Sequence, residues 1–283
     1  VTALVQSASA SMERLDEFLN ETPDFEGGQF NPTEFQGHIV FDRVSFTYPN
    51  SGVKALNEVS FELKSGQSIG VLGKTGSGKS TIAALLVRQY DPTSGSIYID
   101  GVDLKEWNLP ALKAHLGWVP QEAFLFSDTI ANNIAFGIDN TELTDVVTAA
   151  QSAGVHDNIV EFPEGYETRV GERGVTLSGG QKQRLSIARA LIKEPEIMIF
   201  DDCLSAVDTE TEEVILRNIK AATQDVSSLI IAHRISSVKH CDQIICLEDG
   251  RVIERGTAEE LEQAGGHFAE LIALQLDPAA EEN

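Results

Sequence analysis

Residues 67–90 read QSIGVLGKTGSGKSTIAALLVRQY, and this short stretch changes its pattern twice. An apolar run typical of a buried strand ends at Gly73, and the apolar spacing of a helix begins at Lys79. Between them, GKTGSGKST (73–81) fits the motif G-x-x-x-x-G-K-[ST]. Its glycines allow successive backbone N–H groups to turn towards one anion at the helix N-terminus. The stretch therefore predicts a phosphate-binding loop.

The side chains of this loop predict a nucleoside triphosphate and a metal ion as ligands. Lys79 supplies a compact positive charge for the β- and γ-phosphates, and the Ser80 hydroxyl can ligate Mg²⁺. We expect the nucleotide to contact the whole loop: Gly73, Lys74, Thr75, Gly76, Ser77, Gly78, Lys79, Ser80 and Thr81.

Two adjacent carboxylates predict the other half of the metal site. The apolar run IMIF ends in Asp201 and Asp202. A carboxylate at the end of a buried strand beside a phosphate loop is the usual partner of Mg²⁺. We therefore expect Asp201 to bind the metal together with Ser80. These two motifs indicate a phosphate-loop NTPase, without indicating which one.

The rest of the chain alternates between strand and helix patterns. Helix patterns follow the phosphate loop and recur at 209–222 and 266–274, and the stretch 128–160 is mostly helical. Apolar or alternating runs with β-branched and aromatic residues predict strands at 38–48, 59–66, 67–73, 194–202, 227–233 and 241–250. This alternation predicts an α/β domain with a largely parallel core sheet.

The composition excludes several classes of protein. With 283 residues, of which 42% are hydrophobic, the chain fits a well-cored globular protein. No run approaches 18 consecutive apolar residues, so we expect no membrane span. Three cysteines without CxxC spacing argue against a disulfide framework or a zinc site. The net charge of −23 would repel nucleic acid, which we do not expect as a partner.

The motif LSGGQKQR (177–184) identifies a family. Ser178, Gly179 and Gly180 can offer a hydroxyl and backbone N–H groups at a helix start, which makes a second anion site. Together with the phosphate loop and Asp201, this motif resembles the signature of the ATP-binding cassette (ABC) proteins. From about residue 38 onwards the chain is similar to the nucleotide-binding domain of a multidrug-type exporter. The resemblance implies ATP and Mg²⁺ as cofactors.

The resemblance also implies the fold and the division of the chain. The expected fold is α/β, with a RecA-like phosphate-loop NTPase core, an antiparallel β subdomain and an inserted α-helical subdomain at about 122–178. The nucleotide-binding domain is expected at 38–277. Residues 1–37 are expected to be the end of a membrane-domain helix plus a linker, and 278–283 an acidic tail. A chain that begins at Val1 is expected to be a piece of a longer protein.

Further roles follow from the resemblance one residue at a time. Tyr48 in FTYPNSG is expected to stack on the adenine. Gln121 in WVPQEAFLFSDTI is expected to contact Mg²⁺ and the attacking water, and to link the site to the membrane domain. His233 in IIAHR is expected to contact the γ-phosphate.

The resemblance implies two partners. In the family, two nucleotide-binding domains meet head to tail around two ATP molecules, so we expect a second such domain. The signature residues would bind the partner's ATP: Ser178, Gly179, Gly180 and Gln181. LSAVD (204–208) matches the loop that crosses this interface, and ETRVGERG (167–174) matches the loop with which exporters sense their membrane domains. The other expected partner is a fused transmembrane domain. The nucleotide-binding domain would then lie at the cytoplasmic face of the inner membrane.

Asp202 departs from the family pattern. The residue after the magnesium aspartate is usually Glu, which polarises the attacking water. Aspartate is one methylene shorter, so its oxygens retreat by somewhat over ~1 Å, a misplacement that can cost about a hundredfold in rate. We expect the site to bind MgATP and to hydrolyse it slowly. The chain then resembles the impaired half of a heterodimeric exporter; sequence drift in a homodimer is the alternative.

Two other functions fit part of the sequence. A soluble, non-transport ABC ATPase of DNA repair would carry long coiled-coil or zinc-hook insertions and basic surfaces, which this acidic sequence does not show. A regulatory ATP-binding module that never turns over would suit Asp202, whereas Gln121, His233 and the intact LSGGQ favour an ATPase. The transported substrate is not indicated, because selectivity lies in a membrane domain.

Overall fold

The computed structural model describes residues 2–20, 27–171, 174–203, 212, 215–218 and 226–276. In chain order, the described strands are β1 (Ile39–Thr47), β2 (Lys54–Leu63), β3 (Ser68–Gly73), β4 (Ser94–Ile99), β5 (Val102–Asp103), β6 (Leu116–Val119), β7 (Ile197–Asp201), β8 (Ser227–Ile231), β9 (Gln243–Glu248) and β10 (Arg251–Gly256). The described helices are α1 (Thr2–Leu19), α2 (Lys79–Leu86), α3 (Leu109–Ala114), α4 (Ile130–Ile134), α5 (Leu143–Ser152), α6 (His156–Val160), α7 (Gly179–Leu191), α8 (Ile235–Val238), α9 (Ala258–Ala264) and α10 (His267–Leu276).

The strands form two sheets within the described part of the chain. The core sheet has the order β10-β9-β3-β8-β7-β6, in which β10 alone is antiparallel to its neighbour. The second sheet, in the order β2-β1-β4-β5, is antiparallel throughout. Parallel strands end at the same edge of a sheet, so the carboxyl ends of β3 and β7 lie close together with only β8 between them. The predicted α/β fold with an antiparallel β subdomain is confirmed.

One apolar core joins the two sheets and α2. It contains Leu56 of β2, Val71 of β3, Leu85 of α2 and Ile99 of β4, all at most 1% exposed. Seven of the eight residues of α2 are buried, which is why the helix after the phosphate loop reads as almost continuously apolar. This shared core fixes the phosphate loop between the two sheets.

A second core builds the predicted helical subdomain. Ile134 of α4, Val146 of α5 and Leu185 of α7 pack with Met198 and Phe200 of β7. The helical segments therefore sit on the β6–β7 side of the core sheet. The bounds of this subdomain at 122–178, and those of the domain at 38–277, stay predictions.

Residues 28–35, which precede β1, contact the folded domain. The backbone N–H of Gly28 donates to the Trp107 carbonyl at 2.9 Å, and Phe30 meets the Trp107 ring edge-on at 4.9 Å. Phe35 also contacts Trp107, and it stacks on His115 at 4.2 Å. This packing attaches the last part of the predicted linker to the domain surface.

The N-terminal segment is helical, as its apolar spacing predicts. In α1, Met12, Leu15, Phe18 and Leu19 are 58–75% exposed. No described helix is long and apolar enough to cross a membrane. The loop LSAVD, most of the predicted helix at 209–222 and the tail at 278–283 lie outside the described residues.

Trp107 provides a test of this packing, because its side chain is completely buried. We expect Trp107→Ala to lower the free energy of unfolding by about 3–5 kcal/mol, through lost burial and the cavity left behind. Phe30→Ala is the matched control. It removes a ring that is 37% exposed and should cost less than about 2 kcal/mol. Urea titration followed by circular dichroism measures both; equal costs would contradict the described packing.

Candidate active site

The phosphate loop between β3 and α2 needs glycine at two positions. Gly78 precedes α2 with φ +101°, and a Cβ on it would lie 2.4 Å from the Ala55 carbonyl oxygen. A Cβ on Gly73 would lie 2.4 Å from the Leu247 carbonyl oxygen. The backbone of β2 and β9 therefore contacts the loop closely. Any residue with a Cβ in place of Gly73 or Gly78 would distort the loop.

Lys79 lies inside this loop. Its Nζ donates to the carbonyl oxygens of Gly73 at 2.6 Å and Lys74 at 2.9 Å, and the residue is only 5% exposed. Burial lowers the pKa of the Lys79 ammonium, and the charges of Asp202 and Asp201 act in the opposite direction. The neighbouring Ser77 Oγ is buried without a hydrogen-bond partner in the described structure. A cation held by two carbonyls and an unsatisfied hydroxyl in one loop fit a phosphate group.

Ser80 and Asp201 meet across the core sheet. The Ser80 hydroxyl donates to Asp201 Oδ1 at 2.8 Å, and Asp201 is 6% exposed. Burial raises the pKa of the Asp201 carboxyl; the hydrogen bond from Ser80 lowers it and the charge of Asp202 raises it further. A bound cation would favour the ionised carboxylate. One hydroxyl and one carboxylate suit Mg²⁺, which keeps several water or phosphate ligands.

The structure brings the three predicted catalytic residues together. Asp202 Oδ2 accepts a long hydrogen bond of 3.5 Å from Gln121 Nε2 and lies 3.8 Å from His233 Nε2. Asp202 itself has φ +45°, and its backbone N–H donates to the Ile231 carbonyl at 2.8 Å. The side chain is 11% exposed. Residues from three separate parts of the chain thus converge on one carboxylate next to Asp201.

Tyr48 lies beside the phosphate loop. Its hydroxyl is 3.1 Å from Thr81 Oγ1, at the start of α2. Its ring contacts Phe46 and Tyr90 edge-on, with centroid distances of 4.9 and 5.6 Å. Tyr90, for which the sequence alone predicts no role, belongs to the same aromatic group. Stacking of Tyr48 on the adenine stays a prediction.

The signature forms the N-terminus of α7. Ser178 caps the helix: its Oγ accepts from the Gln181 N–H at 3.2 Å, and Gln181 Oε1 accepts from the Ser178 N–H at 2.9 Å. Ser178 and Gly179 are exposed. The loop and the signature, both predicted to bind an anion, are not joined by a hydrogen bond in the described part of the chain.

A hydrogen bond from a residue of α7 connects the signature helix to Gln121. Gln183 is 6% exposed and its Nε2 donates to the Gln121 carbonyl at 3.4 Å. The motif LSGGQKQR alone predicts no role for Gln183. Only the structure shows that this polar side chain is buried.

The three cysteines, Cys203, Cys241 and Cys246, are buried, and none of them forms a disulfide in the described part of the chain. Burial raises the pKa of Cys246 to about 12, and that of Cys203 further still. Thiols in this state are poor nucleophiles.

Comparison with known proteins identifies the family. Residues 56–205, more than half of the chain, match the ABC transporter family. The chain belongs to the ABC transporter family. The predicted family is thereby confirmed, and with it the expectation of an ATP-binding domain.

The similar proteins of this ABC family are longer than the chain. ATP-binding cassette sub-family B member 6 of Mus musculus is 44% identical over 276 residues, which cover 96% of this chain and 32% of the mouse protein. The ATP-dependent lipid A-core flippase of Pseudomonas putida is 41% identical, over 99% of this chain and 47% of the flippase. A solved bacterial Atm1-family ABC exporter with ATP bound superposes with a TM-score of 0.90 at 39% identity, over 96% of this chain and 48% of the exporter chain. The chain thus spans half or less of the length of these relatives.

Lys79 and Lys74 allow a matched test of the phosphate loop, since one is buried and the other exposed. We expect Lys79→Met to weaken ATP binding by about 100-fold or more, because charge-assisted hydrogen bonds to the phosphates are lost. Lys74→Met should change the affinity by no more than about threefold, since only a screened surface charge is removed. Titration with a fluorescent ATP analogue in Mg²⁺ gives both values. Equal losses in the two variants would show that Lys79 has no special role.

Proposed function

We propose that the chain is the ATP-binding and hydrolysing motor domain of an ABC-type exporter, and that its own ATP site hydrolyses slowly. The convergence of Gln121 and His233 on Asp202, directly after Asp201, is the observation that carries the proposal. At the centre of this arrangement lies the Asp202 carboxylate, on a side chain one methylene shorter than that of the Glu usual in the family.

Binding of ATP is assigned to the residues around the phosphate loop. Lys79 and the backbone N–H groups of the loop would hold the phosphates, and Tyr48 would stack on the adenine. Ser80 and Asp201, joined at 2.8 Å, would hold Mg²⁺ together with Gln121. Bound Mg²⁺ would neutralise part of the phosphate charge. The roles assigned here to Lys79, Ser80, Asp201 and Tyr48 do not use the Asp202 side chain, so binding should be close to normal.

Hydrolysis is assigned to Asp202, Gln121 and His233. Asp202 would accept the proton of the attacking water, Gln121 would orient this water, and His233 would donate to the γ-phosphate. The backbone at Asp202 is fixed by its hydrogen bond to Ile231 and by φ +45°. A shift of the main chain that compensates for the shorter side chain would break that hydrogen bond. We therefore expect the Asp202 carboxylate to lie about 1 Å short of the position that a Glu carboxylate would reach.

The exposed signature supports a second nucleotide-binding domain as partner. Ser178 and Gly179 present the N-terminus of α7, a helix of 13 residues, to the outside of the molecule. Such an end favours an anion such as a phosphate, here one held by the partner's loop. Because this signature is intact while Asp202 is short, we infer a head-to-tail dimer with a different chain whose ATP site is competent. A homodimer is the alternative.

An exposed aromatic patch supports contact with a fused transmembrane domain. Phe124, Phe126 and Phe136 form this patch, with exposures of 65%, 37% and 52%. Phe126 stacks on Phe136 at 4.2 Å, and Arg189 donates to the Phe124 carbonyl at 2.8 Å from beneath. The patch follows Gln121 in sequence, so a membrane domain docked there would act on the ATP site. We therefore propose that the domain acts at the cytoplasmic face of the inner membrane.

The loop before the signature is bonded to the same region. The Val170 N–H donates to the Asp128 carbonyl at 2.9 Å, and the Ile130 N–H donates to the Thr168 carbonyl at 3.0 Å. The described part of ETRVGERG is therefore hydrogen-bonded to the segment that carries the aromatic patch. This supports the expected role of that loop in sensing the membrane domain.

The variant Asp202→Glu tests the slow site. We expect the unaltered chain to be nearly silent in steady-state ATP hydrolysis and Asp202→Glu to gain about 10- to 100-fold, because the carboxylate recovers its reach. The gain should rise steeply with protein concentration, since each site is completed by a second copy. ATP affinity should be equal in both proteins.

Asp202→Asn is the control, because it keeps the length of the side chain and removes the base; it should be silent. Brisk turnover by the unaltered chain would show that Asp202 is an adequate base and would contradict the slow site and the heterodimer. Normal ATP binding without turnover in Asp202→Glu would favour the regulatory ATP-binding module instead.

A further inference from the structure

Glu212 is a buried carboxylate to which the proposed ATPase mechanism gives no role. Its side chain is 1% exposed, and an ionised carboxylate is costly to bury unless it is paired and hydrogen-bonded. Glu212 Oε2 lies 2.7 Å from Arg234 Nη1, and Oε1 accepts from the Ser237 hydroxyl. The Ser236 hydroxyl lies 3.5 Å from Oε1. All of these partners belong to the segment that directly follows His233.

This segment needs support from outside itself. It forms α8, a helix of four residues, which is far too short to be stable alone. Its first N–H groups lack a side-chain cap from Arg234, and the Ile235 N–H donates instead to Gln275 Oε1 at 3.0 Å. Gln275 also donates to the His233 carbonyl at 2.8 Å. Gln275 therefore holds the backbone at the start of α8, and Glu212 holds its side chains.

Glu212 and the catalytic residues share one cavity. A cavity of about 100 Å³ is bordered by Asp202, Glu212, His233 and Arg234, with Phe200 and other apolar residues as further walls. Charges interact more strongly in such an enclosure than in water. A change at Glu212 would therefore reach His233 by two routes, through Arg234 and through the shared cavity.

We propose that Glu212 is a positioning residue that sets His233 against Asp202 by holding Arg234 and Ser237. Glu212 does not touch the nucleotide; it acts through α8. The position of His233 Nε2, 3.8 Å from Asp202 Oδ2, is the quantity that it controls. This inference rests on the proposed function, since His233 matters only if the site hydrolyses ATP.

Turnover is the decisive readout, measured in Asp202→Glu as the active parent. We expect Glu212→Gln to lower kcat by about 10-fold or more while KM for ATP changes by less than about twofold, because the amide keeps the shape and loses the pairing with Arg234. Ser237→Ala, which removes one hydrogen bond, should lower kcat by about two- to fivefold. Glu196→Gln is the matched control: this carboxylate bonds to His115, away from the site, and its removal should leave kcat unchanged.

Hydrogen–deuterium exchange gives a readout that does not depend on activity. Glu212→Gln should speed exchange in the peptide that covers 232–238 by about 10-fold, and leave β3 protected, because only α8 is released. Unchanged exchange there, or an unchanged kcat, would overturn the proposal. If Glu212→Gln lowers kcat, raises KM and lowers the thermal stability together, Glu212 has a general structural role. That result would also overturn the proposal.

The failure of the proposed function is distinguishable from this outcome. If Asp202→Glu binds ATP and does not turn over, the proposed function fails. Exchange in the peptide at 232–238 then decides alone whether Glu212 positions His233.

Discussion

The hydrogen bond between the Ser80 hydroxyl and the Asp201 carboxylate joins residues 121 positions apart in the chain. It exists because β3 and β7 are parallel and are separated by β8 alone, so that both end at the same edge of the core sheet. The rest of the structure is arranged around this edge. The antiparallel sheet packs on α2 and fixes the phosphate loop, and the helical subdomain packs on β7 and carries the signature helix.

At this edge of the core sheet, the proposed function assigns ATP binding and ATP hydrolysis to different groups. The groups suited to phosphate and Mg²⁺ are buried or held by the main chain, as Lys79 is by two carbonyls. The proposed hydrolytic group is one side chain, that of Asp202, whose backbone N–H donates to the Ile231 carbonyl. On the proposed function, shortening that side chain by one methylene should slow the reaction and leave ATP binding unchanged. Such a site would suit a chain that holds ATP while its partner's site turns over.

Much of this arrangement was predictable from sequence, because the constraints are local. The phosphate loop needs Gly73 and Gly78 at fixed positions, and the buried strands β3, β7, β8 and β9 are continuous apolar runs. The strand β10, RVIERG, was not predicted, since it is polar and becomes a strand only by pairing with β9. The sequence feature that indicates this strand is the Asp249–Gly250 pair between β9 and β10. Both residues have positive φ, as in two-residue hairpin turns. Glu212 was hidden because TETEE reads as a solvated charge run, and its burial depends on Arg234, which is distant in sequence.

A single-turnover experiment on the unaltered chain tests the central claim most directly, namely that this site binds ATP and cleaves it only slowly. Concentrated protein is mixed with a limiting amount of radiolabelled ATP in Mg²⁺, and ATP and ADP are separated after increasing times. We predict that the label binds quickly and stays ATP, with a conversion rate constant below about 0.1 s⁻¹, a hundredfold under a typical enzymatic turnover. Conversion of the bound label to ADP at about 10 s⁻¹ would contradict the claim.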